Sequence, residues 1–246
     1  MLELLLCLAG LWAGAQNALA GGGSFITLPA LILTGLDPRA ANIASTIALF
    51  PGQVANGVAG RSMVSGTDSL SFRALFIISI FGGAVGGLLL LATPVNIFAA
   101  MVPWLVLFAT AVFAWSNFGP KSLMPKTHIG PMATAVAQFL IAIYGGYFGG
   151  GIGFLMIAAL SMAGLHVRNA GATKNALAGV MNASAVVIFL ISSPMPWPRI
   201  LLLGVSAFIG GQIGVWMLRR ANETVLRVIV VVVGVALTIG LFWRGA

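Results

Sequence analysis

The sequence has almost no charge. Of 246 residues only 7% are Asp, Glu, Lys or Arg, and just four are acidic, against 60% hydrophobic residues and a mean hydropathy of +1.08. A soluble domain carries several times that charge on its surface, so a soluble enzyme or binding module is excluded. There is one cysteine, Cys7, inside an apolar run, which leaves neither a disulfide framework nor a cysteine metal cluster. The two histidines, His128 and His166, have no nearby Cys, Asp or Glu set for metal binding, and no Ser-His-Asp or Cys-His set converges. Enzyme, metal and cofactor readings therefore have no support. The net charge of +8 does not point to nucleic acid, because the basic residues fall mostly in short connections between apolar runs. That distribution is a topology signal.

What is present is a series of long apolar segments, the signature of a polytopic membrane protein in a lipid bilayer. Residues 2–20 and 24–36 flank the triplet Gly21, Gly22 and Gly23, and 39–60, 71–92 and 95–116 read as full spans. After a loop rich in Pro and Lys at 119–128, residues 129–148 and 152–165 flank a second triplet, Gly149, Gly150 and Gly151. Further spans follow at 168–191, 199–218 and 222–243. Residues 1–20 end in Ala18-Leu19-Ala20, like a signal-peptidase site, but Glu3 stands where a basic residue is expected, so the segment is expected to be retained.

The two series are collinear. Gly35-Leu36-x-x-Arg39-x-Ala41 matches Gly164-Leu165-x-x-Arg168-x-Ala170, and FGGAVGG at 81–87 matches IGGQIGV at 209–215. A duplication follows, with repeats at 1–118 and 129–246 joined by a linker at 119–128. Residues 2–36 as one straight helix would reach about 50 Å, against a hydrocarbon core of about 30 Å. Each glycine triplet is thus expected at the tip of a hairpin that returns to its own face. A hairpin plus three crossings is an odd number, so the fold class expected is all-α, with two inverted repeats. Arg61, Arg73, Lys121, Lys126, Arg168, Arg219 and Arg220 then share one side, and Arg39, Arg199 and Arg244 the other. The richer side is expected to be cytoplasmic, with both termini outside.

Irregular backbone at membrane depth is tolerated where it lines a cavity or is buried in protein. A helix that restarts after the triplets offers free N–H groups, from Ser24, Phe25 and Ile26 and from Ile152, Gly153 and Phe154, which attract anions. The following helices carry polar groups. Asn42, Thr46, Gln53 and Asn56 are spaced 4, 7 and 3 apart on one face, Asn175 and Asn182 correspond to Thr46 and Gln53, and Lys174 aligns with Ser45. An ionisable residue inside the membrane is functional by default expectation, so Lys174 is placed at the cavity. The glycines at 82, 83, 86, 87, 210, 211 and 214 are read as helix-packing positions. The four acids, Glu3, Asp37, Asp68 and Glu223, lie at segment ends or in loops, which argues against a carboxylate proton relay.

With AGGGSFITLPALILTGLDPRAANIAST at 20–46 and its weaker repeat FGGGIGFLMIAALSMAGLHVRNAGATKN at 148–175, the chain resembles the sulfite exporter (TauE/SafE-like) family over essentially its whole length. The resemblance implies a permease of the bacterial inner membrane for small anions such as sulfite. It also implies that both triplets, Thr46, Lys174 and Asn175 line the path. Ser24, Phe25 and Pro29 face Ile152, Gly153 and Ile157 at matching places, so the two breaks are not expected to be equal. Two alternatives stay open: uptake of another small organic or organosulfur anion, and a membrane scaffold without flux. The composition is compatible with a homo-oligomer.

Overall fold

A computed structural model describes residues 2–19, 22–119, 129–192, 194–218 and 223–243. Gly21, Lys121, Lys126, His128, Arg219, Arg220 and Arg244 lie outside the described residues, as do most of the 119–128 linker and the side chain of Arg168. The described chain is all-helical, with ten α-helices and no strand among the described residues: α1 (Leu2–Leu19), α2 (Ser24–Leu33), α3 (Pro38–Ala59), α4 (Phe72–Ala92), α5 (Val95–Phe118), α6 (Pro131–Tyr147), α7 (Ile152–Met162), α8 (Val167–Ser192), α9 (Trp197–Leu218) and α10 (Glu223–Trp243). Among the described residues three stretches are long and apolar enough to cross a membrane by themselves: Phe72–Ala92, Val95–Val112 and Asn169–Ser192. That is fewer than the six full spans expected. α3 is long enough at 22 residues, but Asn42, Ser45, Thr46, Gln53 and Asn56 dilute its apolar content.

The short helices owe their ends to glycine. After α2, Gly35 adopts φ +89° and Gly164 after α7 adopts φ +98°, a left-handed conformation that costs other residues energy. Gly35 N–H donates to Ile32 O at 2.9 Å and Leu36 N–H to Leu31 O at 3.4 Å. Gly164 N–H donates to Ser161 O at 3.1 Å and Leu165 N–H to Leu160 O at 3.0 Å. Both are Schellman caps, in which the residue after the glycine packs back on the helix. The repeated Gly-Leu of the sequence is this cap, used twice. Asp37 then starts α3 by accepting from the Arg39 and Ala40 N–H groups, both at 3.0 Å, with Pro38 in the first turn where no N–H is needed.

The chain doubles back at both glycine breaks. A Cβ on Gly23 would lie 2.8 Å from the Ala13 carbonyl oxygen, whereas ten residues of continuous helix would separate those positions by about 15 Å. At the second break, Ile129 N–H, just before α6, donates to Met162 O at the end of α7 at 3.0 Å. The α6–α7 hairpin thus starts and finishes at one end of the bundle. Ser65 and Asp68 meet the second half at that same end, through Thr173 and the Ala163 carbonyl. At the opposite end Arg39 donates to the Leu91 and Thr93 carbonyls, at 3.2 and 2.9 Å.

Packing is reciprocal between the first five helices and the last five. α1 packs most extensively on α9 and α4 on α6, and α3 crosses α8. Glycine lets these backbones touch. Cβ atoms on Gly82 and Gly210 would meet the backbone oxygens of Phe139 and Leu11, and on Gly83 and Gly86 those of Met181 and Ile143. Such contact replaces the hydrophobic drive that is absent between helices in lipid. Inside the bundle, Ala41, Asn42, Ile43, Ala44, Ser45, Thr46, Ile47, Ala48 and Leu49 are all buried, while no residue of α3 from Phe50 onward is. The exposed half of α3 carries Gln53 and Asn56.

Candidate functional site

The two glycine breaks meet. Gly149 and Gly151 adopt φ of +77° and +74° and Gly22 φ +85°, which only glycine takes without strain. A Cβ on Gly149 would sit 3.9 Å from the Ser24 hydroxyl, and one on Gly150 3.2 Å from the Phe25 ring. Phe25 and Phe148 are almost wholly buried and pack against Gly150. Between the breaks lies a cavity of about 30 Å³. One water needs roughly 10–15 Å³ on this scale, so the space suits a very small solute.

Both halves of the chain line this cavity. Gly22 and Ser24 come from the first break, Gly149, Ile152 and Gly153 from the second, Asn17 from the end of α1, Gln53 and Asn56 from α3, and Lys174, Asn175 and Ala178 from α8. Lys174 makes no hydrogen bond or ion pair among the described residues. Nor do the Asn17, Asn56 and Asn175 side chains make hydrogen bonds there. Among the described residues no carboxylate lines the cavity; Asp37 caps α3, and Glu3 and Asp68 are exposed. A lysine inside the apolar stretch Asn169–Ser192 with no acid beside it among the described residues is costly unless a negative charge visits it. The wall therefore sets one full positive charge among amide and hydroxyl groups that can each donate or accept.

The backbone adds to this unequally. All three N–H groups at the start of α2 were expected to be free. Instead Phe25 N–H donates to Gly22 O at 3.0 Å and Ile26 N–H to Gly23 O at 3.1 Å. The freedom of glycine lets that turn wind tightly enough to satisfy its own donors, leaving Ser24. At α7, Gly151 in the left-handed region turns the chain away, and no hydrogen bond takes up the N–H of Ile152 or Gly153 among the described residues. The anion-attracting helix end is chiefly that of α7.

Of the thirteen candidates read from sequence, Gly22, Ser24, Gln53, Gly149, Lys174 and Asn175 line the cavity together. The other described candidates do not line it. Gly23 packs on Ala13, Gly150 on the two phenylalanines and Gly151 on Ala109 of α5. Asn42 Nδ2 donates to the Tyr147 carbonyl at 2.9 Å, and Thr46 Oγ1 to the Asn42 carbonyl at 2.9 Å. Asn42 thus ties α3 to the end of α6, and Thr46 bonds back within α3; neither lines the space. Asn182 sits behind Gln53, and Gly21 lies outside the described residues. Asn17 was missed, although Gln16-Asn17 is a polar pair directly before the first triplet. Its neighbour Gln16 stitches the break, donating from Nε2 to Gly22 O at 3.3 Å.

The sequence pattern of the sulfite exporter TauE/SafE family matches residues 6–241, which is nearly the whole chain. The chain belongs to that family. The chain is 27% identical over 244 residues to a probable membrane transporter protein of Haemophilus influenzae, covering 97% of this chain and 93% of that one. It is 30% identical over 244 residues to probable membrane transporter protein ORF9 of a Sinorhizobium species, covering 96% and 90%. The probable membrane transporter protein YfcA of Escherichia coli K12 is 24% identical over 236 residues, covering 94% and 86%. The TauE/SafE chain is thus a membrane transporter by kinship, not an enzyme, with several apolar helices.

Proposed function

We propose that this protein moves a small sulfur oxyanion such as sulfite out of the cell, binding it between the two glycine breaks. The observation that carries the reading is Lys174, an unpaired cation beside the free Ile152 and Gly153 N–H groups in a cavity without a carboxylate. A family described as sulfite exporters supplies the substrate class. The small volume favours a compact anion over a larger organic acid.

The architecture in this reading is a pair of inverted repeats with re-entrant hairpins, a plan that places binding sites near the midplane at the repeat interface. The reciprocal packing of α1 on α9 and α4 on α6 supports it, as does the return of α6–α7 to its starting end. The Arg61 end is cytoplasmic, by the excess of basic residues there, and both termini face outward across the bacterial inner membrane. Export needs no carboxylate relay. A potential of 100 mV, negative inside, supplies about 2.3 kcal/mol per charge leaving the cell.

Reconstituted vesicles under an imposed potential test this reading. Labelled sulfite is expected to leave the negative compartment faster than from protein-free vesicles, with unlabelled sulfite competing better than acetate or taurine. Flux of an organic anion in preference to sulfite would move the assignment to the uptake of organic or organosulfur anions. No flux of any anion from a folded protein would leave the scaffold reading.

A further inference from the structure

In the amide pair Gln53 and Asn182, a buried polar side chain touches a cavity side chain from behind. Asn182 is 2% exposed, and its Nδ2 donates to Gln53 Oε1 at 2.6 Å, while its own Oδ1 is buried with no partner. A core amide with an empty acceptor is costly. Gln53 lines the cavity, and Asn182 does not.

The consequence lies in the chemistry of an amide. Gln53 has one oxygen that accepts and one NH2 that donates. With Oε1 held by Asn182, the NH2 is what remains, and it has no acceptor among the described residues. We propose that Asn182 is a positioning residue, which pins the oxygen of Gln53 against α8 so that its NH2 faces the transported anion. Without the pin, Gln53 can turn its oxygen to the cavity and repel the same guest. The inference rests on the anion-transport reading above.

The two halves provide the parts unequally. Gln53 is fourteen residues beyond Arg39 and Asn182 fourteen beyond Arg168, so the same register carries an amide in both halves. The longer one reaches the cavity and the shorter one stops behind it. Asn182 is seven residues, about two helical turns, beyond Asn175, which places it on the same face of α8 but one layer deeper.

A double-mutant cycle separates this role from simple packing. Asn182→Ala, Asn182→Leu, Gln53→Ala and the double variant Gln53→Ala with Asn182→Ala are reconstituted as full chains, with folding checked by gel filtration. Sulfite efflux is followed for KM against maximal rate. Asn182→Ala and Asn182→Leu are expected to raise the sulfite KM about 10-fold with little change in maximal rate. In the Gln53→Ala background the same change adds less than about 2-fold. Gln53→Glu keeps the Asn182 bond and puts a carboxylate oxygen into the cavity, so it is expected to cut sulfite efflux more than about 100-fold in a folded protein. Equal KM increases in both backgrounds, or efflux retained in Gln53→Glu, would overturn the inference while wild-type efflux stands. Absent wild-type efflux would instead bring down the transport reading, and this inference with it.

Discussion

Lys174→Met is expected to weaken sulfite transport by roughly 5- to 150-fold in KM, the range of a lost charged hydrogen bond worth about 1–3 kcal/mol. The expectation follows from the absence of any competitor. Lys174 meets no acid, and the cavity wall holds amides, a hydroxyl and backbone N–H groups. An anion entering this space has one full positive charge to find. Methionine keeps the length of the lysine chain and its apolar packing but removes that charge. If Lys174 serves the guest rather than the fold, the variant should be no less stable than the wild type, because an unpaired charge has been taken out of the interior. Lys174→Glu should abolish transport. Equal KM and maximal rate in Lys174→Met, measured on folded protein, would remove the lysine from the site.

Gly83→Leu is expected to stop the protein folding. A Cβ at this position would overlap the Met181 carbonyl oxygen and crowd the Ser184 hydroxyl of α8. The obstacle is backbone, which cannot turn aside as a side chain can. Forcing extra atoms into a packed core costs about 1–3 kcal/mol and more where nothing yields. Here α4 would have to part from α8 and, through Gly82 and Gly86, from α6. Gly171→Ala is the matched control, since nothing lies within 4 Å of a Cβ there and Gly171 is inside α8. It should leave folding intact and raise the thermal midpoint slightly, by the roughly 1 kcal/mol that alanine gains over glycine in a helix. Detergent-solubilised Gly83→Leu running as a sharp, thermostable peak on gel filtration would contradict the packing described.

The sequence made the helices legible because apolar runs and glycine are unambiguous punctuation. The Gly-Leu pairs at 35–36 and 164–165 announced two turns, and both are Schellman caps. The meeting of the two triplets was legible as well, since each lies in the same place in its half. What periodicity could not reveal was depth. Asn42, Thr46, Gln53 and Asn56 share a face of α3, but spacing says nothing of what that face meets along its length. Its first half is pressed against the end of α6 through the Tyr147 carbonyl, and only its second half opens on the cavity. Asn182 was drawn to the cavity by its correspondence with Gln53, but it bonds to Gln53 from behind and does not line the space. The inequality of the two breaks was foreshadowed by their different residues. Its cause, the Gly22 and Gly23 carbonyls turning back on Phe25 and Ile26, is a matter of backbone torsion that side-chain identity does not record.

The account turns on an anion held where the two breaks converge. Diffraction from crystals grown with selenite, a heavier analogue of sulfite, locates that anion by the anomalous signal of selenium. The peak is expected within hydrogen-bond reach of Lys174 Nζ and of the Ile152 and Gly153 N–H groups. A selenium peak only at the headgroup level, or an empty cavity at saturating selenite, would contradict it.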